Sequence, residues 1–275
     1  METIFYEKPY LMTSVLDTII ADTRTRVAHA KERIPVKALE ESAHFSVPPV
    51  SLSHYLLRPD LNGIIAEIKR RSPSRGVLSN SVSVEHLSLG YMQAGASALS
   101  VLTEPNYFGG SLADLKTARH FNLCPILRKD FIVDEYQILE AKAAGADAIL
   151  LIAAALSGTE VRALAMMARS LGLEVLAEVH HGDELDRVLI PEIRCIGVNN
   201  RDLHDLSVSV DRSFELAAKI PASFIKVAES GLRDPSVVRA LHDAGYRGFL
   251  IGEAFMVTPD PARACRQFIR ALRGE

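Results

Sequence analysis

The run IIAEIKRRSPS, residues 64–74, begins as an apolar strand and then sets Glu67 and Lys69 two positions apart. Alternate residues of a strand share a face, about 7 Å apart along it, so this carboxylate and this ammonium project together. Neither charge is stable alone in an apolar interior. A strand that ends in both reads as a device for presenting an acid and a base to one substrate.

Polar residues close the other apolar runs in the same way: Thr103, then Lys129 and Asp130, Glu178, then Asn199, Asn200 and Arg201, Glu229 and Ser230, and Gly252. Glu67, Lys69, Lys129, Glu178 and Glu229 are two cations against three anions, able to neutralise one another. A purely structural salt-bridge network is one reading. Leucine and valine would fill a core with less desolvation, so five such groups from four strand ends favour proton-transfer chemistry.

Two further endings, VAESGL and LIGEAF, put Gly231 and Gly252 where a strand turns toward a helix. Exposed backbone N–H groups at such starts suit a phosphate, although either residue also reads as an ordinary turn glycine. Glu253 would repel a phosphate, so its side chain is expected to point away or into the interior. Asp130 reads as a cap for the following helix, and Asp114, Asp134 and Asp183 as first-turn helix acids. His180, His181 and His204 form no convincing metal spacing with other ligands, so no metal is expected. Neither a G-x-S-x-G elbow nor a P-loop occurs.

The elements that must position these residues repeat. QAGASAL, AAGADAI and DAGYRGF each end an apolar-periodic segment in a glycine, Gly95, Gly145 and Gly245, before a strand-like run. Their spacing fits a unit of about 25 residues, one strand plus one helix. That period places strands at 63–69, 98–103, 125–129, 148–152, 174–178, 195–199, 225–230 and 248–251, with helices between them such as the one bearing Val161, Leu164, Ala165, Ala168 and Leu171. Continuously apolar strands mean a parallel sheet covered by helices. The fold class is α/β, and eight units favour a (β/α)8 TIM barrel over a doubly wound open sheet, which would carry a glycine-rich turn after its first strand.

Residues 1–60 stand outside the eight units of 61–275. Leu16, Ile19, Ile20, Thr23 and Val27 form a helical stripe behind a cap at Thr13 or Ser14, and 36–43 reads as a second short helix after Pro35. SVPPVSLSHYLLRPDLNG reads as a linker with one more helical turn. The extension is too small to be a domain and is expected to pack on the barrel, giving one domain over 1–275.

Bulk properties bound the partners. At 275 residues, 48% hydrophobic and 24% charged, the chain reads as globular. A net charge of -3 gives no footprint for nucleic acid. The three cysteines lack metal spacing and read as reduced packing residues. No apolar stretch is long enough for a membrane span, and the first residues lack a secretory pattern. A cytoplasmic location is expected.

In order along the chain, IIAEIKRRSPSRG, LSVLTEPNYFGGS, PILRKDFIVDEYQI, LEVLAEVH, IGVNNRDL, VAESGL and FLIGEAFM resemble the strand-end motifs of indole-3-glycerol phosphate synthases. SVLDTIIADTRTRVAHAKERIPVKALE resembles the extension that this family carries before its barrel. The resemblance implies ring closure of 1-(2-carboxyphenylamino)-1-deoxyribulose 5-phosphate with loss of carbon dioxide and water, no cofactor, a small sugar-phosphate substrate, no nucleic-acid or membrane partner, and a monomer. It implies Lys129 as general acid for ring closure, Lys69 in dehydration and phosphate holding, and Glu67 as a base. Glu178 would stabilise the developing iminium, and Asn199 would hold a substrate hydroxyl or carboxylate. Ser72, Arg201 and Asn200 would contact the carboxylate or sugar. Glu229 and Ser230 belong to the site, with Ser230, Gly231 and Gly252 near the phosphate, and Phe108, Phe131 and Leu150 would form an aryl slot. RRSPS would open a loop that closes over substrate. Glu253 departs from the family, standing where some members have a serine. Other sugar-phosphate barrels, isomerases or aldolases, share the glycines without requiring the full set of charged residues. A phosphate sensor or inactive homologue is the non-enzyme alternative.

Overall fold

Short apolar runs alternate with amphipathic ones, and each run becomes one element of the computed structural model, which describes residues 14–78, 83–202 and 206–275. The cap candidate Thr13 and His204 lie outside the described residues. The strands are β1 (Ile64–Ile68), β2 (Ala98–Leu102), β3 (Ile126–Lys129), β4 (Ala148–Ile152), β5 (Glu174–Val179), β6 (Cys195–Asn199), β7 (Ile225–Glu229) and β8 (Tyr246–Ile251). All eight pair in parallel with their chain neighbours, and β8 closes on β1 through Ile64 opposite Phe249 and Ala66 opposite Ile251. The result is a closed (β/α)8 barrel, with strand bounds within two residues of the sequence expectation.

The helices are α1 (Val15–Arg33), α2 (Val36–Glu40), α3 (Leu52–Leu57), α4 (Val84–Ala94), α5 (Leu112–Phe121) and α6 (Glu135–Ala144). They continue with α7 (Gly158–Ser170), α8 (Leu185–Val188), α9 (Asp211–Ala217), α10 (Pro235–Asp243), α11 (Glu253–Met256) and α12 (Pro261–Arg273). Gly95 and Gly145 end α4 and α6 in the left-handed region, at φ 99° and 86°. A glycine reaches that region without the steric penalty of a Cβ, so it stops the helix and turns the chain into the next strand. The second helix is shorter than expected. It ends at Glu40, and 41–47 form turns.

Two apolar layers result. One lies between the strands and the surrounding helices and includes Ile64, Val101, Ile149, Val198 and Phe249. The other fills the barrel with Ile65, Leu127, Leu150, Leu176, Val227 and Leu250, and is closed below by Leu52 and Leu56 of α3. Ser51 and Ser53 anchor α3 to Glu174 at the start of β5, with Ser51 Oγ donating at 2.6 Å and the Ser53 N–H at 2.7 Å. The expected linker turn is thus the floor of the barrel.

Helix α1 starts at Ser14, whose hydroxyl accepts from the Asp17 N–H at 3.1 Å while Asp17 accepts from the Ser14 N–H, a reciprocal cap. It buries Leu16, Ile19, Thr23 and Val27. Val27 joins Leu39 of α2 and Tyr136 and Leu139 of α6 in a third apolar cluster. α3 therefore closes the amino end of the barrel, while α1 lies at the carboxyl end, where Val15, Leu16 and Ile19 reach the central cavity and Lys31 pairs with the α6 cap Asp134.

Candidate active site

Along β1, β3, β5, β6 and β7 the last inward place is polar, whereas β2 and β4 end inward in Leu102 and Ile152. On β3, Leu127 faces the interior core, and Lys129, two residues on, reaches the cavity. The same step carries Leu176 to Glu178 on β5 and Val227 to Glu229 on β7. The cavity above the core measures about 380 Å³ and receives Glu67, Lys69, Lys129, Glu178, Asn199, Arg201, Glu229 and Ser230. Apart from Asn200, every residue expected to act on the substrate meets there, together with Ser72, Phe108, Phe131, Leu150, Gly231 and Gly252.

Lys129 stands at the centre. Its Nζ donates to Glu178 Oε2 at 2.9 Å and lies 3.2 Å from Glu229 Oε2. Glu178 Oε1 accepts from Asn199 Nδ2 at 3.0 Å. Lys69 Nζ lies 2.5 Å from Glu67 Oε1. The five ionisable groups thus divide into one lysine with one carboxylate and one lysine with two.

Burial alone would lower the pKa of Lys129, but Glu178, Glu229 and Glu67 outweigh it and raise the pKa, so the ammonium stays charged. Burial pushes Glu178 up, and the opposing pull of Lys129, His180 and the hydrogen bonds from Asn199 and Lys129 brings it down to about 2. For Glu229 burial wins, helped by the Glu178 and Glu67 charges, and its carboxyl rises to about 7 despite Lys129. One neighbour is held ionised and the other titrates near neutrality, which is the separation that acid–base chemistry uses. Glu229 Oε1 has no hydrogen-bond partner and faces Gly197, where a Cβ would collide with it. His180 Nε2 approaches Glu178 at 3.3 Å, and burial lowers the imidazole pKa against the pull of Glu178 and Glu184.

An apolar side faces these charges. The rings of Phe108 and Phe131 lie 5.9 Å apart at 39°, a tilted pair, with Leu150 below. Leu16 and Ile19 of α1 and Leu232 extend the wall. The sequence reading did not place α1 in the site, although its stripe was visible. Leu206, Val208 and Val210 also line the cavity, and nothing in their spacing marked them.

The loop after β1 folds into a small hairpin, Arg71–Ser72 against Gly76–Val77. Arg70 anchors its base through two bonds to Asp114, at 2.5 and 2.8 Å, and the Arg71 N–H donates to Phe108 O at 3.3 Å. Asp114 thus holds this arginine as well as lying in the first turn of α5.

Four expectations need correction. Gly231, at φ 76°, does not open a helix, because α10 begins at Pro235 behind the cap Asp234. Asn200 is fully buried away from the cavity, where its amide donates to Ser230 O at 3.1 Å and its oxygen accepts from Ser213 Oγ at 2.8 Å. On a strand end, its neighbour Asn199 takes the inward side. Asp130 caps no helix, since Asp134 caps α6; it accepts instead from Thr103 at 2.6 Å and Arg128 at 2.9 Å. Glu253 turns neither away nor into the barrel. Its Oε1 meets Arg233 at 2.5 Å and Arg75 at 3.2 Å, and its Oε2 meets Arg201 at 3.1 Å. Three guanidinium groups around one carboxylate explain how a negative charge persists there. Gly252 has its own constraint, because a Cβ would lie 2.5 Å from Glu67 Oε1.

Among solved structures, a mutant tryptophan synthase alpha-subunit from the hyperthermophile Pyrococcus furiosus superposes with a TM-score of 0.60 at 14% identity, covering 78% of this chain and 99% of its own. That likeness concerns the fold. Sequence relatives are nearer. The indole-3-glycerol phosphate synthase of Bacteroides thetaiotaomicron is 46% identical across 95% of this chain and all of its own, and that of Carboxydothermus hydrogenoformans is 43% identical across 90% and 97%. The family described as indole-3-glycerol phosphate synthase matches residues 16–268, a span that runs from α1 through all eight strands into α12. With relatives this close over nearly its whole length, the chain belongs to the indole-3-glycerol phosphate synthase family, carboxy-lyases of tryptophan biosynthesis.

Proposed function

We propose that the cavity closes the pyrrole ring of 1-(2-carboxyphenylamino)-1-deoxyribulose 5-phosphate and releases carbon dioxide, water and indole-3-glycerol phosphate. The observation that carries this reading is the charged Lys129 between Glu178 and Glu229, facing the paired rings of Phe108 and Phe131 across one cavity. The aryl ring lies in the slot of Phe108, Phe131 and Leu150, and the ketone turns toward Lys129.

The ring carbon bearing the carboxylate attacks the ketone, and Lys129 protonates the carbonyl oxygen as the bond forms. An ammonium bound to two carboxylates is a reluctant acid, so the ketone oxygen takes the place of one of them on binding. The iminium formed on attack is stabilised by Glu178, which stays ionised and is oriented by Asn199. Loss of carbon dioxide returns the electron pair to the ring. Lys69 then protonates the departing hydroxyl, and Glu67 takes the proton that completes the indole. Glu229 tunes Lys129 through its own titration. Ser230, Gly231 and Gly252 surround the phosphate, and Ser72 and Arg201 face the carboxylate or sugar. α1 and the barrel act as one domain, and on family resemblance the protein is a cytoplasmic monomer. No helix among the described residues is long and apolar enough to cross a membrane.

Replacing Lys129 with alanine tests the assignment. Turnover should fall by roughly 10²- to 10⁴-fold while substrate affinity stays within a few-fold, the pattern for a group used in the transition state. Equal loss of affinity and turnover would make Lys129 a binding residue instead.

A further inference from the structure

Helix α1 sends one cation into the barrel wall. Arg26 donates from one guanidinium nitrogen to Glu104 Oε1 at 3.0 Å and from the other to Asp130 Oδ1 at 3.3 Å. Both carboxylates are almost wholly buried, at 1% exposure. Glu104 lies outside the cavity lining and Asp130 reaches its edge, and the reaction described above uses neither.

Each carboxylate organises one loop. Glu104 accepts the backbone N–H groups of Asn106 at 2.9 Å, Tyr107 at 2.6 Å and Phe108 at 3.0 Å. Asp130 accepts the N–H of Phe131 at 2.9 Å. The loop that carries Phe108 is therefore wrapped around one anion and the start of the loop that carries Phe131 around the other. Asp130 has a second cation, Arg128, at 2.9 Å. Glu104 has Arg26 as its ion-pair partner among the described residues. The planar fork of an arginine joins two acceptors in a fixed relation, which a flexible ammonium does not reproduce. α1 adds a second tie, as Tyr107 donates its hydroxyl to Asp22.

We infer that Arg26 is a positioning residue of the active site, holding the Phe108 and Phe131 loops at the separation that admits the substrate's aryl ring. The inference rests on the reading that these rings form the aryl slot. Its consequence is that the extension before the barrel sets aryl affinity through two buried carboxylates and touches no reacting atom. The Arg26 side chain is 29% exposed, so its removal opens little internal space and the fold survives.

The full-length chain carrying Arg26→Gln, Arg26→Lys, Arg24→Ala or Phe131→Leu tests this with two probes, anthranilate for the aryl slot and inorganic phosphate for the other end of the cavity. Arg24 pairs with Glu160 at 3.5 Å on the exposed side of the same helix, so its variant controls for the docking of α1. Arg26→Gln, which removes both charge-assisted contacts, should weaken anthranilate and raise KM by about tenfold or more, with phosphate affinity and kcat within about threefold of wild type. Arg26→Lys, which reaches one carboxylate but not both, should recover part of the loss, and Arg24→Ala should change neither probe. Wild-type anthranilate affinity in Arg26→Gln, with Phe131→Leu weakened, overturns the inference and leaves the slot standing. Equal weakening of both probes also overturns it, by showing a general loss of structure. Unchanged affinity in Phe131→Leu overturns the slot reading and the inference with it.

Discussion

Two carboxylates touch one lysine, and the surroundings drive them in opposite directions. Glu178 is held ionised, whereas Glu229 rises from 4.5 to about 7 because burial and its fellow carboxylates outweigh Lys129. The folded state therefore binds the Glu229 proton more tightly than the unfolded chain does. That stability is complete below pH 4.5 and is lost as pH rises through about 7. Glu229→Gln should remove the loss and make the variant more stable than wild type at pH 8, on the order of 3 kcal/mol at about 1.4 kcal/mol per pKa unit. Denaturant titrations at pH 5 and pH 8 read this directly, and a variant no more stable at pH 8 would contradict the burial argument. The inward charges were legible in the sequence because acids and lysines interrupt apolar strands. The partners of Glu253 and Asp130 were not, because Arg75, Arg201, Arg233 and Arg26 come from distant loops and from α1, and chain neighbours give no sign of them.

At the scale of elements, strand ends and glycines fix the charged groups to better than the reach of a side chain. Gly252 opens α11 and leaves the space that Glu67 occupies, so Gly252→Ala should push Glu67 aside. A displacement of about 1 Å costs roughly 100-fold in rate when it disturbs reacting groups, and kcat should fall accordingly while the melting temperature moves little. Unaltered kcat would show that Glu67 can shift without consequence. The floor helix α3 gives the opposite pattern. Leu56→Ala should destabilise the protein by about 2–5 kcal/mol and leave kcat of the folded enzyme unchanged, which denaturant midpoints and kinetics on one preparation would check. Strands were readable because eight apolar runs repeat with glycine stops. α3 reads from sequence as one turn in a linker because its role depends on Ile65 and Ile225 of the barrel interior, brought together by closure alone.

The whole molecule places a rigid barrel beneath less strongly tied rims. Arg70 and the Arg71 backbone hold the base of the loop after β1, while its tip, with Pro73, Ser74 and Arg75, is exposed. Arg75 touches Glu253 across the cavity mouth. If the loop closes over bound substrate, tryptic cleavage after Arg71 or Arg75 should slow severalfold in saturating substrate analogue, and equal cleavage rates with and without it would count against closure. The barrel and the order of its motifs were legible from sequence, and the family followed from them. The part played by α1 was not, because a buried helical stripe looks the same whether it covers a core or walls a cavity.

The central claim is that this cavity performs the ring closure. The chain contains no tryptophan, so indole emission on mixing with 1-(2-carboxyphenylamino)-1-deoxyribulose 5-phosphate arises from product alone. A steady rise with wild-type protein, falling by orders of magnitude with Lys129→Ala, is the expected result. No rise with folded wild-type protein, confirmed by chromatography of the mixture, would contradict it.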